Sequence, residues 1–485
     1  MIYKNFKSVL VGAVLVSSIV SCKKEFGDTN IDSRQPSPLA LKTQFLLTSA
    51  EQQIHTTVFG NTTANLYVQY LAEGPYPGGS LYTGKNFNWD ATYYGPLFDL
   101  DKIVKFVEEG SPEADASNGA PANQKAVANI LKSYFFMTMT DRWGDIPYAD
   151  ALKGVENLAP TYTKQQEIYN SIFQILAASV NEIDESAFGV QGDLLLGGDM
   201  LMWKKFANTM RMDMALRLSA KDPAKGQTEF NAALAASGGV ISSNDENIQW
   251  NYIDDPNYLN PWYTNYTVSN RNDYAISKTM TDYMLPNEDK RITVYAETLE
   301  GATPYIGLLY GSSAAKNIPN AYSRIGDAFR TKTAPARIFN YPQVLFMKAE
   351  AAKLGWIPGG DAEAEANYNA AIKASWEMNG VFDPTDLTAF NIYLGHVAYN
   401  PATAIEQIIT EKWVHNYLNG YAAWNDWRRT GFPVLAPAPD AVDDRGIPVR
   451  QGYPVAEQTQ NKDSYSAAVA AQGTDDNYTK IWWDN

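Results

Sequence analysis

Two stretches of the sequence without helical or strand periodicity are unusually rich in aromatic residues. The chain holds 30 Tyr and 12 Trp among 485 residues, so many rings must also pack in the core. Flat rings can pack against the C–H faces of sugars, and nearby asparagine amides can serve their hydroxyls. We predict a ligand site among these rings, although any single ring could instead pin its loop to a scaffold. The candidates are Tyr76, Tyr82 and Trp89 in the first stretch and Tyr258, Trp262, Tyr263 and Tyr266 in the second.

Motifs for covalent or hydrolytic chemistry are weak by comparison. Residues 79–86 nearly match a phosphate-binding loop, but Asn86 stands where a magnesium-binding Ser or Thr is needed. Asp141 and Asp145 lie four residues apart, and glycoside cleavage needs two carboxyl groups held about 5 to 9.5 Å apart across the scissile bond. There is no nucleophile elbow of the GxSxG type. We predict no catalytic residues and no enzyme activity, with a surface glycoside hydrolase as the less favoured alternative.

The sequence also offers little for a metal, a cofactor or a nucleic acid. The three histidines, His55, His396 and His415, lack zinc-site spacing, and no specific motif indicates calcium. We therefore predict no cofactor. The formal net charge of −15 repels a phosphate backbone, so nucleic acid is excluded as a partner.

A charged and aromatic cluster, Trp427 to Gly431, has two possible roles. Arg428 and Arg429 could bind an anion after the helix that precedes them. They could instead form an internal brace, with the arginines bonding to backbone carbonyls and stacking on tryptophan. The brace is the favoured interpretation.

The amino terminus has the composition of a secretory signal. Lys4 and Lys7 precede an apolar run, Val9–Val20, that is too short to span a bilayer. The run ends in Ile-Val-Ser-Cys22, which resembles a bacterial lipobox, and Cys22 is the sole cysteine. We predict a signal peptide over 1–21, a lipidated Cys22 with a flexible tether over 22–38, and a single domain over 39–485.

Apolar residues recur at helical spacing through most of the mature chain. Thr161 or Thr163 could cap one of these helices, and Pro358-Gly359-Gly360 makes a tight turn between two others. Four long irregular stretches separate the helical blocks. We predict a mainly α fold in which tetratricopeptide-like helix pairs form a scaffold with a loop-rich lobe packed on it. The predicted helices span 123–140, 164–186, 201–219, 223–237, 342–355, 361–378 and 402–419, and the irregular stretches span 74–94, 248–274, 299–337 and 431–480.

Several short motifs occur in the order and spacing of a known family, the SusD/RagB outer-membrane lipoproteins. Each motif is weak alone, but their order along nearly the whole mature chain makes the resemblance strong. The motifs are Asn88-Trp89 to Val104, Gly144-Asp-Ile-Pro-Tyr148, Asp289-Lys-Arg291, YPQVLFMKAEA from Tyr341, Glu411-Lys-Trp413, NGYAAWNDWRRTG from Asn419, Ile447 to Asn461, and Trp482-Trp-Asp484.

The resemblance implies a role as well as a fold. Members of this family have four tetratricopeptide-like helix pairs and a loop-rich ligand face. They sit outside the outer membrane as a lid on a SusC-type, TonB-dependent β-barrel, and they deliver oligosaccharides, or in some branches peptides, to it. The resemblance implies no catalytic residues, and it assigns the binding role to loop regions rather than to individual residues.

Overall fold

The computed structural model describes residues 41–59, 62–301, 304–318 and 321–484. The predicted signal peptide, Cys22 and the tether to residue 38 therefore lie outside the described residues. Residues from Thr43 onward form one compact unit. Across the described ranges, no helix is both long enough and apolar enough to cross a membrane.

Helices dominate the described residues. In chain order they are α1 Thr43–Glu51, α2 Thr62–Tyr67, α3 Phe98–Glu108, α4 Pro121–Trp143, α5 Gln165–Glu182, α6 Met200–Arg217, α7 Pro223–Leu234, α8 Lys278–Met284, α9 Ile292–Tyr295, α10 Tyr341–Lys353, α11 Gly360–Met378, α12 Thr388–His396, α13 Ala404–His415, α14 Gly420–Thr430, α15 Glu457–Gln460 and α16 Lys462–Gln472. Single helical turns occur at Ile54–Thr57, Asp90–Thr92, Tyr93–Leu97, Pro112–Ala114, Ala116–Asn118, Gly154–Glu156, Asn244–Glu246, Pro261–Tyr263, Thr264–Val268 and Asp327–Phe329.

Among the described residues, the strands are short and form three two-stranded antiparallel sheets. They are β1 Leu71–Glu73, β2 Ile146–Pro147, β3 Tyr162–Thr163, β4 Ile248–Trp250, β5 Tyr274–Ile276 and β6 Ala336–Phe339, paired as β1 with β5, β2 with β3, and β4 with β6. In the first sheet Glu73 pairs with Tyr274. This pair sets the two aromatic loops side by side, because one loop leaves β1 where the other enters β5.

The helices pack as successive hairpins. α4 packs on α5, α6 on α7 and α10 on α11, and α13 packs against both α10 and α14. The tight turn predicted at Pro358-Gly359-Gly360 joins α10 to α11, and Gly359 adopts a left-handed φ of 107° there. The predicted mainly α fold of tetratricopeptide-like pairs with a loop-rich lobe is confirmed.

Local side chains fix where the scaffold helices begin. Asp199 caps α6 by accepting a hydrogen bond from the Met202 amide, and Asn340 forms a capping box at the start of α10. The prediction for α5 was wrong. Asp145, rather than Thr161 or Thr163, accepts the hydrogen bond from the Gln165 amide, at 2.8 Å. A residue 20 positions upstream thus serves as the cap, which sequence spacing does not reveal.

Two further sequence predictions need correction. The stretch 431–480, predicted to be irregular, contains α15 and α16. The cluster from Trp427 onward lies inside α14 rather than after a helix. In both places the helical segment is only 4 to 11 residues long, so its period was hard to distinguish.

The cluster in α14 is an internal brace, as favoured from the sequence. The Arg428 guanidinium lies 3.7 Å from the Trp424 ring centroid, and it donates hydrogen bonds to the backbone oxygens of Asp141 and Val449. Arg429 pairs with Glu350 of α10, at 2.7 Å between Nη2 and Oε2. These bonds tie α14 to α4 and α10.

A second buried ionic cluster centres on Arg291, just before α9. Its side chain is fully buried and lies 2.7 Å from Asp289 and 2.9 Å from Glu411 of α13. It also donates hydrogen bonds to Ser375 and Tyr393. The motif residues around positions 289–291 and 411–413 therefore hold helices together.

Candidate functional site

Four chain segments join to form one surface, which we call the loop face. It consists of residues 74–84, 269–274, 310–318 and 434–444. Backbone hydrogen bonds connect the segments: Gly74 N donates to Asp273 O, Lys316 N to Gly74 O, and Val442 N to Leu81 O. Ser313 also donates to the Asp440 carboxylate through its amide and hydroxyl groups. The loops are thus held in one arrangement even though they lack regular secondary structure.

Tyr76 is the most exposed predicted site residue on the loop face. Its side chain is 67% exposed. The Arg271 guanidinium lies 5.6 Å from its ring centroid, and Arg271 is held in turn by Asp273 at 2.5 Å. The pair presents a flat aromatic surface beside a fixed cation, an arrangement suited to the apolar face and the polar rim of a sugar.

The second aromatic loop presents two further rings to solvent. Tyr258 is 46% exposed, and Tyr263 is half-buried. Asn260 orders the turn between them, because its side-chain oxygen accepts hydrogen bonds from the amides of Trp262 and Tyr263. Tyr76, Tyr258 and Tyr263 are therefore the predicted site rings that a ligand can reach from solvent.

The other four predicted site residues lie in the protein interior. Trp89 is 2% exposed and packs edge-on against Trp143 and Tyr453 at 5.4 and 5.5 Å. The Tyr82 hydroxyl accepts a hydrogen bond from the Ala438 amide, so this ring secures the loop face from below. The physical reason for their burial is the same in each case: a loop without regular hydrogen bonding is anchored by large side chains. The buried four are Tyr82, Trp89, Trp262 and Tyr266.

Burial does not leave all of these groups satisfied. Within the described ranges, Trp262 Nε1 and Asn265 Oδ1 are buried atoms without a hydrogen-bond partner. Each of these atoms marks a position where a polar ligand or ordered water would complete the bonding. By contrast, Tyr266 is fully engaged, because its hydroxyl donates to Tyr274 O at 2.7 Å.

Sequence reasoning missed Arg271. The signal was weak, since one arginine in a polar loop is usually solvated. Its neighbour Asn270 adopts a left-handed φ of 49°, which turns the chain sharply before β5. Only the structure brings position 271 over the ring of Tyr76, which lies 195 residues earlier in the chain.

The acidic pair Asp141 and Asp145 does not share a cleft. Asp141 lines a small pocket between α4, α6, β6 and α14, whereas Asp145 lines a separate cleft at the carboxy-terminal segment. Burial raises the pKa of Asp141, but its oxygens are bound to Tyr169, Trp483 and Arg217. The arrangement does not place two free carboxyl groups across a substrate bond.

The other candidate chemistry is equally unsupported by geometry. Residues 79–86 form turns that end in an isolated bridge between Asn86 and Gly452, and the Asn86 side-chain nitrogen donates a hydrogen bond to Tyr453 O. Within the described parts of the chain, no group of three or more His, Cys, Asp or Glu side chains is placed to hold a metal ion.

Comparison with known proteins identifies the family. The sequence model of a family described as starch-binding and associating with the outer membrane, SusD-like, matches residues 33–454. The chain belongs to the SusD-like family. The resemblance seen in the sequence motifs is therefore confirmed. No protein with a curated description matches the sequence.

Solved SusD-like structures share the fold over most of the chain. A chitin-binding protein is 28% identical with a TM-score of 0.78, covering 92% of this chain and 100% of its own. A chitin-binding SusD homologue from Flavobacterium johnsoniae is 24% identical with a TM-score of 0.76, over 92% and 98% of the two chains. A SusD homologue from Bacteroides uniformis is 22% identical with a TM-score of 0.72, again over 92% and 98%.

Proposed function

We propose that this SusD-like protein is a surface lipoprotein that captures oligosaccharides on its loop face. It hands them to a SusC-type, TonB-dependent β-barrel in the outer membrane. Binding is non-covalent, and the protein itself cleaves nothing. The lipid on Cys22 keeps the binding domain beside the barrel through the tether over residues 22–38.

The observation that carries this proposal is the exposed Tyr76 ring beside Arg271 on a preformed loop face. The ring offers a stacking surface, and the guanidinium over it offers hydrogen-bond donors. The relative that is 28% identical and named as chitin-binding makes oligomers of N-acetylated sugars the first ligands to test. Handover to a barrel requires only moderate affinity, since tight binding would slow release.

Calorimetry on residues 23–485 tests the binding step. Chitin oligomers, malto-oligosaccharides and peptides are titrated into the native chain and into Tyr76→Ala. We expect a glycan to bind and the substitution to weaken binding about 5- to 30-fold, the effect of losing a contact worth about 1–2 kcal/mol. The matched control is Tyr94→Ala, because Tyr94 is 73% exposed but lies outside the loop face.

Different outcomes would refute different parts of the proposal. Binding of peptides alone would refute the oligosaccharide class. Equal losses in Tyr76→Ala and Tyr94→Ala would refute the loop face as the site. Release of reducing ends during a long incubation would refute the purely non-covalent role.

Anchoring and delivery need separate experiments in cells. Cys22→Ser should release the protein from the membrane fraction and abolish labelling by a fatty-acid analogue. Affinity purification of the lipidated protein should recover a TonB-dependent barrel, and its absence from gently solubilised membranes would refute the delivery role.

A further inference from the structure

Two carboxyl groups are buried together where α1 meets the loop before α6. This loop, residues 189–199, is called the pre-α6 loop below. Glu51, the last residue of α1, is 0% exposed, and Asp193 of the loop is 8% exposed. Both side chains accept a hydrogen bond from the Leu195 amide, at 3.1 and 3.0 Å. Two acidic groups therefore lie side by side in the interior, on elements that contribute nothing to the loop face.

The pre-α6 loop lies directly on α1. The Thr48 hydroxyl donates a hydrogen bond to Gly192 O at 2.7 Å. A Cβ at Gly192 would stand 2.3 Å from Gln44 O, so only glycine fits between the loop and the helix backbone. Glycine also suits the left-handed φ of 75° at this position. This close packing holds the two carboxyl groups together.

Asp193 has the surroundings of an ionised carboxylate. Its two oxygens accept four hydrogen bonds at 2.7 to 3.0 Å, from the amides of Leu195, Leu196 and Gly198 and from the Trp203 indole. An ionised carboxylate accepts about four hydrogen bonds and donates none. Because such donors favour the charged form, Asp193 carries the negative charge of the pair.

Glu51 has a different set of partners. Its Oε2 atom accepts bonds from the Leu194 and Leu195 amides, but among the described residues no donor bonds to its buried Oε1 atom. Burial raises the pKa of Glu51 well above its usual range, and the neighbouring charge of Asp193 raises it further. A proton on Oε1 converts this unpartnered acceptor into a donor that can bond to Asp193. Glu51 is therefore the member of the pair that holds the proton.

Other titratable groups around α1 are distant, neutral or already bonded. Lys42 stands nine residues before Glu51, at the opposite end of α1. Burial lowers the pKa of His55, in the turn after α1, to about 4, so this side chain is uncharged at neutral pH. The Asp99 carboxyl of α3 has the Ser49 hydroxyl as a partner. Further groups on neighbouring elements are Tyr93 and Tyr134, whose pKa values burial raises, Asp199, which caps α6, and the ion pairs Lys204–Glu185 and Lys205–Glu246.

We infer that Glu51 and Asp193 share one proton and form a pH-sensitive clasp between α1 and the pre-α6 loop. While Glu51 is protonated, its hydroxyl bonds to Asp193 and the clasp is closed. When Glu51 ionises in alkali, two negative charges stand side by side away from water, and the end of α1 separates from the loop. The clasp belongs to the scaffold, so it does not depend on the proposed capture of oligosaccharides.

Urea unfolding of residues 23–485 at pH 5 to 9 tests the clasp, with the native chain compared with Glu51→Gln. Glutamine has nearly the same shape, can donate to Asp193 through its amide and cannot ionise. The unfolded native chain releases the Glu51 proton above the ordinary pKa of 4.5, whereas the folded chain keeps it, so rising pH weakens the native fold relative to the variant. We expect the ratio of the two unfolding constants to grow about tenfold per pH unit, or about 100-fold from pH 5 to pH 7. The growth should stop at the pH where Glu51 ionises in the folded chain.

A control variant and two measurements on the folded protein complete the test. Glu182 also ends a helix, α5, but it is exposed, so Glu182→Gln should show no such growth with pH. In infrared spectra at pH 7, the native chain should show a protonated-carboxyl band that Glu51→Gln lacks, and alkali should remove the band. Exchange of the Leu194 and Leu195 amide hydrogens should accelerate over the same pH range by more than hydroxide catalysis explains.

Three results would overturn the inference. The first is the same pH dependence of unfolding in the native chain and in Glu51→Gln. The second is a variant destabilised by one constant factor at every pH, which would show that Glu51 is ionised and that its charge is needed. The third is a carboxyl band at pH 7 that Glu51→Gln leaves unchanged. If Glu51→Gln does not fold, amide exchange in the native chain decides, and rates that follow hydroxide catalysis alone would refute the clasp.

Discussion

Replacing Arg291 by methionine should be among the most damaging single changes in the scaffold. The side chain is fully buried between the carboxylates of Asp289 and Glu411, at 2.7 and 2.9 Å. Methionine fills much of the same volume, so the main loss is the compensating charge. Removing one partner from a buried ion pair costs about 3–5 kcal/mol, because the remaining carboxylates stay desolvated. This loss is a large share of the free energy of unfolding of a typical protein, which is about 5–15 kcal/mol.

Urea unfolding followed by tryptophan fluorescence measures this loss. Glu411→Gln added to Arg291→Met should recover part of it, since it removes one of the stranded charges. The matched control is Arg445→Met. Arg445 also holds two carboxylates, those of Asp443 and Asp476, but it is 49% exposed, and its loss should hardly change the free energy of unfolding. A loss below about 1 kcal/mol for Arg291→Met would refute the reasoning, because it would mean that water reaches the stranded carboxylates.

Two further predictions concern stability. Burial lowers the pKa of His415 well below 6.5, so below that pH the unfolded chain binds a proton that the folded chain does not. The stability that neutral His415 contributes should therefore be complete above pH 6.5 and should be lost at about 1.4 kcal/mol per pH unit below it. Urea titrations at several pH values check this, and the same pH slope in the native chain and in His415→Gln would contradict it. Gly420→Ala should destabilise by about 1–3 kcal/mol, because the added Cβ would stand 2.3 Å from the Asn65 backbone nitrogen. Gly395→Ala, where no atom from outside its own helix turn lies within 4 Å of the new Cβ, is the matched control in thermal unfolding, and equal losses in both variants would argue against the steric cause.

The long scaffold helices could be predicted because their apolar faces are regular. The stretch 123–140 was recognised inside α4, which runs from Pro121 to Trp143, and the turn at Gly359-Gly360 marked the α10–α11 hairpin. Helix α16 was missed. Its sequence is mostly alanine, serine and glutamine, and it buries a single residue, Ala468, so it has no apolar stripe to detect.

The candidate site was less predictable than the fold. A tyrosine or tryptophan has the same sequence signature whether it faces solvent, as Tyr76 does, or anchors a loop, as Trp89 does. The difference depends on partners distant in sequence: Trp89 meets Tyr453, and Tyr76 meets Arg271. Charged motif residues were similarly ambiguous, and only the packing of α14 against α10 shows that Arg429 braces the scaffold.

The loop face joins residues from opposite ends of the chain, and this has a consequence for how it forms. Gln69 donates a hydrogen bond to Ala436 O, and Asn477 donates to Gly84 O, across 367 and 393 residues. Contacts of such sequence separation form late and slowly, because a long loop must close before they are made. The loop face therefore cannot assemble until nearly the whole chain has been synthesised. The helix hairpins can fold locally during synthesis, but the loop face has to wait for the last residues of the chain.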